Sequence, residues 1–374
     1  MFRLRLDSVA EAAGIPSERL AEIEAKGDAT VFELERLATV YGIDSERLIE
    51  PIELARGDGI PLMAERGEFT QLGDGVRLAV MRAAAAAKDL VSLRGSNTLR
   101  DVKKQLPRLA RPSSAVPFQQ GKALAVALRK AWKLGSTPID SVRDLIAEHV
   151  PALQVLHADL TGFGPAGLAF ADELRGATLV LNTKGKNENP LVRRFSLLHE
   201  LCHFLIDWDG HRPLVDLSVY LPEAALDREQ RANAFAVRFL CPEIVLNRAA
   251  TAATAVDPAE LIRAVEPYGL HYAALRLYLR KAASVELPPQ PPLDLASRSA
   301  RWADAEEPAG LSPFPLDAVP SERRTLIAEL AARAWSNGDV SRSRFAELLA
   351  VRPTAPVERV LDLLGLSRPD ETSR

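Results

Sequence analysis

The 374-residue chain has only two cysteines, Cys202 and Cys241, and six histidines. Two cysteines cannot build a disulfide scaffold, so the fold must rest on an apolar core, and a reducing, cytoplasmic setting is expected. No run of about 18 apolar residues occurs, so no segment reads as a membrane-spanning helix and no membrane partner is expected. The opening stretch MFRLRLDSVAEAAG lacks the apolar core of a secretory signal. Neither sign of charge dominates: Lys+Arg 47 against Asp+Glu 50 leaves a net charge of −3. That balance excludes a protein that wraps nucleic acid, or lies on an anionic membrane, by bulk charge. What is present, 47% hydrophobic and 26% charged residues, is the composition of a globular protein long enough for two or three domains.

With so few histidines, their placement is informative. Two lie in RRFSLLHELCHFLID, residues 193–207. On an α-helix His199 and His203, four apart, stack on one face about one turn from each other, close enough for both imidazoles to reach one Zn²⁺. Glu200 falls about 100° round the helix, beside the ligands rather than among them. A carboxylate there can take a proton from an attacking water. This is the H-E-x-x-H arrangement.

A catalytic zinc needs a third protein ligand and an open position. Asp207, Asp209, Asp216, Glu223, Asp227 and Glu229 all follow His203. In DREQRANAFAVRFLCPE, Ala232, Phe235, Ala236, Phe239 and Leu240 make the apolar stripe of a helix, and Glu229 and Asn233 share that stripe. Arg228 and Arg231 point elsewhere. An inward carboxylate is costly unless paired or bound to metal, so Glu229 is the chosen ligand, with Asn233 placed to hydrogen-bond a ligating residue. Asp227, with Gln230 three residues on, reads as the helix cap.

Along the chain, residues 1–56 read as short helices with tight turns, a helix-turn-helix candidate. Residues 57–118 read as a helical and basic linker region that includes the strong helix former GVRLAVMRAAAAAKDLVSL. Residues 119–285 read as a compact α+β domain, with strand-like runs LQVLHA, GLAF and ATLVLN and helices near 122–134, 140–148 and 227–240. Residues 286–319 contain ELPPQPPLDL and read as a stiff proline-rich linker. Residues 320–374 read as a small helical unit in which Asn337-Gly338 closes one helix and Ser341 caps the next. Residues 1–56 carry seven basic and twelve acidic side chains. Phosphate neutralisation dominates DNA affinity, so DNA binding through this module is doubtful and a protein contact is favoured.

Two resemblances follow from these motifs. Residues 8–50, with Ala10, Gly14 and then Ile23, Glu24 and Gly27, resemble the phage-repressor (XRE/Cro-type) helix-turn-helix. HELCH, followed by EQRANAFAVRFLCP, resembles the ImmA/IrrE metallopeptidases, whose signature is H-E-x-x-H, then E-x-x-A-N, then an amphipathic helix ending in a Met-Pro-like step, here Cys241-Pro242. This second resemblance covers about residues 120–282 and implies a zincin-like fold. It also implies a zinc-dependent endopeptidase that cleaves helix-turn-helix repressors to relieve transcriptional repression in a stress or mobile-element response. Carried over, His199, His203 and Glu229 are the Zn²⁺ ligands, Glu200 the catalytic base and Asn233 the supporting residue. Cys202 stands where the family commonly has glycine, and a small packed residue is the favoured reading over a redox switch. An oxyanion donor is expected, with His271 or Tyr272 as candidates, and the strand Ala177–Asn182 is expected to pair with an extended substrate. Self-cleavage in the linkers near 107–117 or 286–312 is the variant of this reading. One rival is a non-catalytic regulator that binds DNA and uses the peptidase-like domain as a sensor. Another is an effector whose C-terminal unit recruits the substrate.

Overall fold

The computed structural model describes residues 4–41, 46–49, 73–95, 98–110, 112–162, 164–208, 214–218, 227–255, 258–288, 302–303, 305–306 and 313–368. The N-terminal helices are α1 (Leu6–Ala13), α2 (Ser17–Lys26), α3 (Val31–Tyr41) and α4 (Glu46–Ile49). After them come α5 (Asp74–Arg94), α6 (Thr98–Gln105), α7 (Pro117–Ala131) and α8 (Val142–His149). Three strands follow, β1 (Gln154–Ala158), β2 (Gly167–Asp172) and β3 (Gly176–Asn182), then α9 (Pro190–Ile206), β4 (Leu214–Ser218) and α10 (Asp227–Leu240). The remaining helices are α11 (Glu243–Thr254), α12 (Pro258–Val265), α13 (Tyr272–Ala283), α14 (Leu326–Ser336), α15 (Arg342–Leu348) and α16 (Glu358–Leu364). Among the described residues no helix is long and apolar enough to cross a membrane.

The α+β reading holds. The sheet runs β1-β3-β2-β4, with β1 and β3 parallel and the other pairs antiparallel. Strands buried on both faces need near-continuous apolar runs, and β2 and β3 have them. Leu168 and Phe170 join Val180 and Leu156 on one face, whereas Ala169, Ala171, Leu179 and Leu181 line the other. The first face is covered by α5. Its buried alanines, Ala83, Ala84, Ala86 and Ala87, let the helix backbone come close to the strands. The second face is covered by α9, with α10 and α7 beyond it. Fully burying a side chain such as Leu168 or Phe170 contributes about 1.5–3 kcal/mol.

Three departures from the sequence reading concern placement rather than helix or strand. First, α5 was assigned to a linker region, yet it is the spine of the molecule. Asp74 at its start accepts from the Arg5 amide and Ser8 hydroxyl, and Leu78 enters the N-terminal core. Its middle covers the sheet, and Asp89 near its end pairs with Arg323 at 2.7 Å. Second, β3 lies inside the sheet between β1 and β2, so Ala177–Asn182 offers no free edge to a substrate. The strand at that side of the sheet is β4, whose alternation in LVDLS was legible but was not read as a strand. Third, the proline-rich linker is docked where it is described. Arg194 on α9, fully buried, lies 4.0 Å from the Trp302 ring centroid and 3.4 Å from Glu306, which also accepts from the Val142 amide at the start of α8. Removing one partner of such a buried pair costs about 3–5 kcal/mol. The rest of 286–312, apart from 286–288, 303 and 305, lies outside the described residues, as do 50–72 and Arg111.

Candidate metal centre

The site begins with two helices and the small residues that let them approach. Asn189 caps α9 by accepting from the Leu191 amide, and Pro190 fills the first helical position. The helix is buried from Pro190 almost to its end because the sheet lies on one side and α8 and α10 on others. α10 is held from behind by α7, and the two cross at Gly121. A β-carbon there would stand 2.1 Å from the Arg231 carbonyl oxygen, so only glycine permits the approach. That crossing presents the first turn of α10 to the middle of α9.

His199, His203 and Glu229 come together as read from the sequence. His199 Nε2 lies 3.0 Å from His203 Nε2 and 3.0 Å from Glu229 Oε2, and His203 Nε2 lies 3.5 Å from Glu229 Oε1. All three residues are buried, and their ligand atoms lie within 4.8 Å of one another. The outer ring nitrogens decide the chemistry. His203 Nδ1 donates to Asp207 Oδ2 at 2.7 Å, and His199 Nδ1 donates to Asn233 Oδ1 at 3.0 Å. With those protons on Nδ1, each neutral imidazole turns its Nε2 lone pair inward, toward the carboxylate. Three lone-pair donors facing one another repel unless a cation sits among them. The residues therefore fit a divalent metal taken by two imidazoles and a carboxylate. Burial pushes the Glu229 carboxyl up, but its contacts with His199 and His203 and the charge of Arg228 outweigh it and hold the group at about 2. Glu229 is then an anion at neutral pH.

Glu200 is fully buried on the sheet side of the same turn. Its carboxylate packs against Gly167, the first residue of β2: a β-carbon there would lie 2.8 Å from Glu200 Cγ and Oε1. No sequence motif marked Gly167, because its role exists only once β2 and α9 are packed. Asn233 bonds His199 as anticipated, but from an exposed position rather than a buried one. Arg231, read as pointing away, forms an ion pair with Asp207 and bonds Gln120 of α7 at 3.1 Å. Asp207, one of the candidate third ligands, instead orients His203. Of the other candidates, Asp227 opens α10, Asp216 lies in β4, and Asp209 and Glu223 fall outside the described residues.

Burial and partners bear on two further expectations. The Cys202 thiol is pushed far above its ordinary range by burial, and that of Cys241 to about 12. Both stay protonated and packed, which argues against a thiolate switch at Cys202. His271 caps α13 by accepting from the Ala274 amide, and Phe195, one turn before His199, stands with its ring edge-on to it at 5.0 Å. Tyr272 donates to the Pro288 carbonyl. Neither contact places an oxyanion donor at the three ligands.

Residues 151–276 match the family model described as the IrrE N-terminal-like domain. No curated protein and no solved structure matches the chain. The matched segment contains the sheet, α9 and α10, and with them both histidines, Glu200 and Glu229. Over this segment the chain is similar to the IrrE-like peptidase domain that the model describes.

Proposed function

We propose that the protein is a zinc-dependent endopeptidase that cleaves a helix-turn-helix repressor in trans and so relieves transcriptional repression. The observation that carries this reading is the inward convergence of His199 Nε2, His203 Nε2 and Glu229, with Glu200 one residue from the first ligand. Zinc held by those three residues would act as a Lewis acid on the scissile carbonyl and make water acidic enough to attack near neutral pH. Glu200 takes the proton of the attacking water and delivers it to the leaving amine. Asp207 and Asn233 keep both imidazoles in the ligating tautomer, and Arg231 holds Asp207 in place. The substrate enters as a strand. Gly167, which touches Glu200, is paired with Ser218 of β4. The outer side of β4 therefore runs one strand away from the catalytic carboxylate, where an extended peptide can add.

Wild type and Glu200→Gln, each with and without chelator, are incubated with helix-turn-helix repressors, and new termini are located by mass spectrometry. Cleavage by wild type alone, lost on chelation, is the expected result. Cleavage that persists in Glu200→Gln would point to a contaminating protease. Absence of cleavage in every condition would favour the non-catalytic regulator.

A further inference from the structure

A proton carrier works only while its carboxylate stays in reach of the reacting atoms, and Glu200 is held from a turn that no motif marks. Between β3 and α9 the chain makes a single 3-10 turn, Gly185–Glu188. Gly185 opens it in the left-handed region, φ 65°, and a β-carbon there would stand 2.5 Å from the Gly162 carbonyl oxygen. Asn182, buried at the end of β3, secures the same loops. Its Oδ1 accepts from the Leu160 and Lys184 amides, and its Nδ2 donates to the Thr161 and Pro165 carbonyls. The turn is therefore pinned to the sheet before the chain enters α9.

Asn187 stands inside this turn and is fully buried. It bonds both elements that flank Glu200. Its Nδ2 donates to the Ala166 carbonyl at 2.7 Å, in the peptide that leads into Gly167. Its Oδ1 accepts from the Ser196 hydroxyl at 2.9 Å, and its main-chain carbonyl accepts from Arg193 Nε at 3.0 Å. Ser196 and Glu200 are four residues apart, so they lie one above the other on the same side of α9. Gly167 is the wall against which the Glu200 carboxylate packs. One side chain thus joins the turn of α9 before Glu200 to the residue before its wall. The Ala166 carbonyl also accepts from the Asn182 amide at 3.0 Å, so β2 and β3 stay paired without Asn187. What Asn187 adds is the connection to α9.

We propose that Asn187 is a positioning residue: through Ser196 and Ala166 it sets the spacing of α9 and β2 and so fixes the Glu200 carboxylate against Gly167. An amide suits the task, because it offers donor and acceptor in one plane, and a satisfied polar link is stiff in a low-dielectric interior. The effect on turnover rests on the peptidase reading, whereas the fixing of Glu200 does not.

Ser196→Ala cuts the bond to α9 and leaves Asn187 on Ala166; alanine is the better helix former, so this variant folds. Asn187→Ala removes both side-chain bonds. Full-length wild type and both variants, loaded with zinc, are compared by zinc content, by hydrogen exchange and by kinetics on a cleaved repressor. Unchanged zinc content and faster exchange over residues 165–168 and 197–201 are expected in both variants. In Ser196→Ala, kcat should fall by about tenfold with KM unchanged, and in Asn187→Ala by more. Adding Ser196→Ala to Gly167→Ala should lower kcat no further than Gly167→Ala alone, because both act through the place of one carboxylate. Unchanged exchange over both segments in both variants would overturn the proposal, with or without cleavage. So would an unaltered kcat, or two effects that simply multiply. Altered exchange in a protein whose wild type cleaves no repressor would uphold the link and count against the peptidase reading alone.

Discussion

At the scale of single residues, the site depends on side chains that motifs do not show. The spacing of His199, Glu200 and His203 was legible because helical geometry alone puts the two imidazoles on one face, and Glu229 was legible because a carboxylate stood on an apolar stripe. Gly167 was not legible. It leaves room for the Glu200 carboxylate, and nothing in GPAGLAF announces that a second element will pack there. Gly167→Ala should displace Glu200 while leaving His199, His203 and Glu229 in place. A misplacement of about 1 Å can cost about hundredfold in rate, so kcat should fall by about that factor with metal content unchanged. Side-by-side kinetics and metal analysis check this; unaltered turnover would mean that Glu200 adjusts freely. Asp207 and Arg231 are a second case. Both are visible in the sequence, but their pairing through His203 needs the tertiary approach of α9 and α10.

At the scale of elements, helix periodicity was a good guide and placement was not. α10 has the bounds that its apolar stripe predicted, and Ser341 caps α15 as its sequence suggested. The polyalanine helix α5 was recognisable as a helix. That its small residues pack against a sheet depends on partners distant in sequence. The missed strand β4 is short, and its polar residues at alternate positions hid it in a segment read as a source of ligands. In the N-terminal helices, α2 carries Arg19, and its guanidinium is bound by Glu33 at 2.8 Å, with Glu22 and Asp28 close by. The hydrogen bond with Arg19 is the main reason that Glu33 is held down at about 2, so this pair stays ionised throughout the neutral range. An arginine committed to three acids offers little to phosphate. The full chain should therefore give no specific anisotropy change with duplex DNA at physiological salt. Specific binding with a steep salt dependence would show that a few well-placed groups outweigh the acidic surface.

At the scale of the whole molecule, the two faces of the sheet line two apolar cores, α5 reaches from one of them to the N-terminal and C-terminal cores, and Trp302 and Glu306 dock on Arg194 and Val142. The linker read as extended thus has part of its length anchored between α8 and α9. A substrate strand drawn from there would first have to release Arg194, which disfavours self-cleavage at 302–306 relative to cleavage of a separate protein. The peptidase reading rests on one metal held where α9 meets α10. Its most direct test is zinc content per chain, measured by atomic spectroscopy on purified full-length wild type, Glu200→Gln, Glu229→Gln and His199→Ala. About one zinc per chain in wild type and Glu200→Gln, with strong loss in Glu229→Gln and His199→Ala, is the predicted result, because only the last two remove a ligand. Equal zinc in all four proteins, or none in wild type after growth with zinc, would contradict it.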